Sequence, residues 1–100
     1  MSQFANCVRF LVKEGKNQAL VEHHNEYNFT ADGLERQYLI QTAEHEYVGV
    51  GIWDSKEALV ASRPELIAFL DTIRHLLEEI TPELGVTDPR SGFVVWNNIP

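Results

Sequence analysis

The side chains of this chain that could do chemistry converge on one segment, Tyr47-Val48-Gly49-Val50-Gly51-Ile52-Trp53. Side chains alternate along an extended strand, so Tyr47, Gly49, Gly51 and Trp53 share one face and Val48, Val50 and Ile52 the other. Glycine inside a strand weakens it and marks a bulge or a close approach. Two glycines between two large aromatics leave a recess. It is either the floor of a ligand pocket, walled by Trp53 and Tyr47, or a gap that a helix or a neighbouring side chain fills. A hairpin joining this strand to residues 34–43 pairs Arg36 with Trp53, Tyr38 with Gly51 and Ile40 with Gly49. Tyr38 then lies over the gap at Gly51. Arg36 either binds an anionic oxygen or stacks on the indole, or it reaches past the rim to water.

Asn6 is an amide on the same strand face as Phe4, Val8 and Phe10. A buried amide needs partners. It hydrogen-bonds either a ligand's carbonyl or enolate oxygen or a strand-end or helix-end group. His23 and His24 flank the inward stripe of the first helix, about 40 to 60° either side of Leu20 and Tyr27. A neutral imidazole reaching the recess would act as a general base, since its pKa lies near working pH. The alternative is a pair of boundary residues on an exposed helix edge. The histidines, with His45 and His75, have no zinc-type spacing with Cys7, so no metal site is expected. Gly49-Val50-Gly51 lacks the third glycine and the following helix of a dinucleotide loop. Ser55 reads as a helix-start residue.

The elements that must position these groups follow from period and punctuation. Residues 4–12 alternate as a first strand, and Gly15 ends the turn after it. Residues 16–29 form a first helix, and 30–33 turn into a second strand over 34–43. Glu44-His45 is a hairpin tip before a third strand over 46–54. Asp54 or Ser55 starts a short helix through about residue 61. Ser62-Arg63-Pro64-Glu65 resembles a capping box for a second piece over 64–80, striped by Leu66, Phe69, Leu70, Ile73, Leu76, Leu77 and Ile80. Residues 86–91 read as a loop and 92–97 as a fourth strand. The order β-α-β-β-α-β is the ferredoxin-like pattern, an α+β fold with a four-stranded antiparallel sheet and its helices on one face. The third strand and Phe93-Val94-Val95-Trp96 are apolar on both faces. No residues remain to cover the face away from the helices, so a homodimer is the economical expectation.

Composition narrows the partners. One hundred residues make a single domain spanning 1–100. The net charge of −7, without a basic stripe, argues against nucleic acid and against an anionic membrane. No run is apolar enough to span a bilayer, and Met1-Ser2-Gln3-Phe4-Ala5-Asn6 does not read as a signal peptide. The lone Cys7 reads as a small core residue in a reducing, cytoplasmic setting.

Four stretches carry a family resemblance. Trp53-Asp54-Ser55-Lys56-Glu57-Ala58 resembles the junction of third strand and second helix in the antibiotic biosynthesis monooxygenase family. Val8 to Val12 running into Lys13-Glu14-Gly15-Lys16, Gly33-Leu34, and Gly92 to Trp96 are similar to its first strand and turn, its hairpin and its last strand. The resemblance implies a dimeric α+β barrel. It also implies a small oxygenase without a cofactor, whose aromatic polyketide, phenol or quinol substrate supplies its own electrons. The roles would fall to His23 or His24 as base, Asn6 and Tyr38 as hydrogen-bond partners, and Trp53 and Tyr47 as walls around Gly49 and Gly51. The haem degraders of the broader fold family ligate iron with a second-helix histidine and carry a strand asparagine and a tryptophan, positions that Asn6 and Trp53 resemble. His75 lies opposite the apolar stripe of its helix, however, and is expected to face solvent. A non-catalytic dimer that binds a small apolar molecule, or an accessory protein of a pathway, is the reading from a different class, with the same recess and no working base.

Overall fold

The computed structural model describes residues 2–98. β1 (Phe4–Val12) turns its larger apolar residues inward, and Phe4, Phe10 and Val12 are buried. The turn after it needs a left-handed residue, supplied by Gly15 at φ +79°. α1 (Asn17–Tyr27) follows and stops at Asn28, whose φ of 48° is a left-handed conformation that asparagine tolerates. β2 (Leu34–Ala43) and β3 (Glu46–Trp53) form the hairpin. α2 (Lys56–Ala61) starts at Ser55, whose Oγ accepts the Ala58 N–H at 3.1 Å. That bond satisfies one of the open donors of the first turn. α3 (Arg63–Ile73) leads through a tight 3₁₀ turn, Arg74–Leu76, into β4 (Leu77–Glu78), and β5 (Asp88–Phe93) comes last.

The strands run β2-β3-β1-β4, with β5 also paired to β1, and every pairing is antiparallel. β4 occupies the Leu11–Val12 end of the β1 edge and β5 the Phe4–Arg9 end. The two share the place of one strand, so the ferredoxin-like order stands with five strands rather than four. The helices cover one face. There Phe10 and Tyr47 pack with Leu20 of α1 and Ile73 of α3, while Phe4 and Trp53 pack with Phe29 and Leu59 of α2. These are two separate clusters, and Phe69 touches both.

Four expectations are corrected. The helix expected over 64–80 ends at Ile73, because the chain tightens into the 3₁₀ turn and Leu77 then enters the sheet, where the long-range pairing with β1 outweighs the helical stripe. Leu77 is extended and pairs with Val12, and the Leu76 carbonyl accepts the Lys13 N–H at 2.8 Å. The last strand covers Asp88–Phe93 rather than 92–97, held by β1 and by the Arg9–Asp88 ion pair at 3.2 Å. Pro89 is tolerated there because this strand pairs on one side only. Ser62 makes no side-chain cap on α3. Cys7 is half-buried on the sheet face away from the helices rather than in the core.

The hairpin register also differs by one residue. Leu34 pairs with Trp53, but a bulge at Glu35 then sets Arg36 opposite Ile52, Gln37 opposite Gly51, Tyr38 opposite Val50 and Leu39 opposite Gly49. A one-residue shift exchanges the faces of a strand. Gln37 and Leu39 therefore face the helices, while Arg36, Tyr38 and Ile40 face outward. No described helix is long and apolar enough to cross a membrane.

Candidate functional site

The two core clusters leave a cleft of about 460 Å³ between sheet and helices. Its floor is built from Asn6, Val8 and Phe10 of β1, Gln37 and Leu39 of β2, and Gly49 and Gly51 of β3. Its roof comes from His24 and Phe29 and from the Leu66, Phe69, Leu70 and Ile73 side of α3. Most of this lining is apolar, and the polar groups are few, as in ordinary small-molecule sites.

The two glycines have different reasons. A Cβ at Gly51 would lie 2.5 Å from Asn6 Oδ1 and 3.0 Å from Trp53 Nε1. The space above Gly51 is thus taken by a hydrogen bond in which the Trp53 indole N–H donates to Asn6 Oδ1 at 2.8 Å. A Cβ at Gly49 would meet nothing closer than 4.0 Å, so Gly49 is open floor. Trp53 is 1% exposed and belongs to the core beneath the site rather than to a cleft wall. Tyr47 is buried as well. It stacks on Phe10, and its hydroxyl accepts from Asn17 Nδ2 at 2.9 Å, which ties β3 to the start of α1. Neither aromatic borders the cleft.

Leu20 and His24, one helical turn apart, form the inward line of α1, and Tyr27 is 41% exposed. His24 borders the cleft and His23 does not. His24 Nδ1 bonds the Leu20 carbonyl at 2.8 Å, and a carbonyl only accepts, so Nδ1 carries the hydrogen. Nε2 of the neutral ring then holds the free lone pair. Burial pushes the His24 pKa below the usual imidazole range and the neighbouring His23 adds to this, while the Leu20 bond works against it. His24 is therefore a neutral, base-competent imidazole at neutral pH. His23 is committed elsewhere. Thr72 Oγ1 donates its one proton to the Phe69 carbonyl at 2.6 Å, so His23 Nε2 at 2.8 Å must donate to Thr72. Phe69 is the hub of the roof, with the His24 ring edge-on at 4.9 Å and Tyr27 at 4.7 Å.

The remaining sequence-selected residues are dispersed. Tyr38 borders the cleft from the edge strand but sits opposite Val50 rather than Gly51. Arg36 is exposed, opposite Ile52, and does not reach the cleft. His75 is exposed in the 3₁₀ turn and lies outside the cleft, so it does not suit a haem ligand there. Gln37 was not selected from the sequence, because the unbulged register turned it outward. Its Nε2 donates to the Phe29 carbonyl, and the residue borders the cleft. No group of three or more metal-ligating side chains occurs among the described residues.

No family model matches the chain, and no curated protein matches it in sequence. Solved structures do match in fold. A candidate antibiotic biosynthesis monooxygenase from Chloroflexus aurantiacus superposes with a TM-score of 0.73 at 17% identity, covering 97% of each chain. A dimeric ferredoxin-like protein from an uncultured marine organism gives 0.71 at 17% identity, covering 100% of this chain and 94% of that one. SnoaB, a cofactor-independent oxygenase from Streptomyces nogalater, gives 0.61 at 12% identity, covering 99% and 97%. Some of the other matches are named as proteins of unknown function. The chain has the ferredoxin-like α+β fold that structures named for antibiotic biosynthesis monooxygenases also have, over nearly its whole length.

Proposed function

We propose that the protein is a small oxygenase that needs no cofactor and acts on a phenolic or enolisable aromatic bound in the cleft. The observation that carries this reading is His24: one ring nitrogen is tied to a carbonyl, and the other is left as a base in an apolar recess. His24 Nε2 takes the acidic proton of the substrate, leaving an electron-rich anion. Asn6 completes the site. Its oxygen is occupied by Trp53, so its NH2 group is free to donate to the developing oxyanion. The anion passes electrons to dioxygen, and a ring carbon that still bears hydrogen forms the new C–O bond. The imidazolium returns its proton to the peroxide. Loss of the C–H proton then breaks the O–O bond, leaving a carbonyl on that carbon and releasing water. One oxygen atom enters the product, the other becomes water, and all four electrons come from the substrate. The apolar roof around Phe69 limits competing protonation of the anion. The name of one fold neighbour, a cofactor-independent oxygenase, supports the same chemistry.

The test is oxygen uptake by the purified, colourless protein with anthrone or hydroquinone, with no flavin or metal added. Uptake above the uncatalysed rate, lost in His24→Gln, is the expected result. Binding without uptake would favour a non-catalytic binding protein. Equal uptake by the variant would remove His24 from the chemistry.

The second part of the reading is a homodimer formed through the outward sheet face. Val48, Val50 and Ile52 lie there half-buried, with Tyr38 at 52% and Ile40 at 46% exposure beside them. A fold neighbour named as a dimeric ferredoxin-like protein supports a dimer, and the apolar outward face is the surface proposed for it.

A further inference from the structure

We propose that Gln37 orients the bound aromatic by accepting a hydrogen bond from a second, un-ionised hydroxyl, so that the preferred substrates are dihydroxylated aromatics and not their ethers. The proposal rests on the cleft being the substrate site. Asn6, Gly51 and Gln37 form one row across three strands, Asn6 opposite Gly51 and Gly51 opposite Gln37. All three border the cleft. Two strand spacings set the backbones of the two amide residues about 10 Å apart, and Gly51 between them lies beneath the Asn6–Trp53 hydrogen bond.

An amide is ambiguous in general, since its oxygen accepts and its nitrogen donates. Each amide here is pinned by a partner that can play one part only. The indole of Trp53 can only donate, so it holds the Asn6 oxygen and leaves the Asn6 NH2 group open. The Phe29 carbonyl can only accept, so it holds the Gln37 nitrogen and leaves Gln37 Oε1 open. The row therefore offers a donor at one end and an acceptor at the other. Asn25 and Asn28 also border the cleft, but no hydrogen bond among the described residues fixes which end of either amide faces it. A phenolate oxygen matches the Asn6 end. The Gln37 end requires an oxygen that still carries its hydrogen. Gln37 is exposed overall, so water satisfies its oxygen in the free protein; an ether there would displace that water and set lone pairs against lone pairs, which disfavours binding relative to a hydroxyl.

The experiment is calorimetric titration of the protein under argon with 2,6-dihydroxynaphthalene and with its monomethyl ether. The wild type is expected to bind the diol about tenfold more tightly, the effect of one hydrogen bond of ordinary strength. In Gln37→Met, of similar length and without the amide, the ratio falls to about one while ether binding is retained. A purely structural role for Gln37 would weaken both ligands alike and leave the ratio unchanged, which overturns the assignment. If the variant does not fold, the wild type alone decides. The side-chain amide resonances of Gln37 are expected to shift with the diol and to stay in place with the ether. Equal shifts refute the proposal. Binding of neither compound overturns the cleft reading itself, and a ratio near one with both bound overturns only Gln37.

Discussion

Gly49 and Gly51 look alike in the sequence and differ in what stands over them. At Gly51 a methyl group would displace Asn6 and strand the indole N–H of the buried Trp53. Leaving a buried donor unpaired costs about 1–3 kcal/mol, so Gly51→Ala is expected to lower the thermal midpoint by several degrees. Gly49→Ala should leave the midpoint nearly unchanged, since its Cβ meets nothing closer than 4.0 Å, and should weaken binding of aromatic ligands instead. Equal midpoints for the two variants would contradict this division. His24 carries a prediction in pH. Burial lowers its pKa, so the folded state holds the neutral ring while the unfolded chain would take up a proton near pH 6.5. Its contribution to stability is complete above that value and is lost as pH falls below it. The acidic limb of oxygen uptake is likewise expected below about pH 6.5. His24→Gln should reduce turnover by about a hundredfold or more and flatten this limb. A limb of unchanged shape in the variant would assign the base elsewhere.

At the scale of the elements, alternation made β1 and β3 legible, including the helix-facing row Phe4, Asn6, Val8, Phe10 against Trp53, Gly51, Gly49, Tyr47. What escaped the sequence had no local mark. The β2 bulge falls at Glu35, a residue type that does not advertise a bulge, and it set Gln37 rather than Tyr38 opposite Gly51. Leu76 and Leu77 fit a helical stripe as well as a strand, and only the long-range pairing with Val12 decided between them. Asp88-Pro89-Arg90-Ser91 reads as a loop until Arg9 is placed beside Asp88. The position of Leu39 tests the bulged register. Leu39 packs on the cluster of Phe10, Leu20 and Ile73, whereas Ile40 is 46% exposed on the other face. Nuclear Overhauser contacts are expected from the Leu39 methyls to the Phe10 ring, and Leu39→Ala should cost about 2 kcal/mol. Contacts from the Ile40 methyls to that ring would instead restore the unbulged pairing.

At the scale of the whole molecule, the sheet has one face under three helices and another that no helix among the described residues covers. The uncovered face carries Val48, Val50 and Ile52 in its middle, and Arg9 bridges Glu46 and Asp88 at 3.2 Å each. Those two carboxylates hold the Arg9 guanidinium charged, so the ion pairs offer a satisfied polar border to the apolar centre. A second copy presents the same surface, and a two-fold axis through the sheet faces would bury both apolar centres at once. Light scattering at micromolar concentration is therefore expected to give about twice the 11.4 kDa mass of the chain. Val50 pairs with Cys7 on one side and Tyr38 on the other, near the middle of this face. Val50→Asp leaves the helix-side core untouched. In a dimer it would bury an unpaired carboxylate from each copy, which costs several kcal/mol and exceeds what the apolar contacts return. The variant should scatter as a folded monomer with an unchanged circular dichroism spectrum. A wild type that is monomeric at the same concentration would dismiss the pairing, and a Val50→Asp variant that stays dimeric would move the interface to another face.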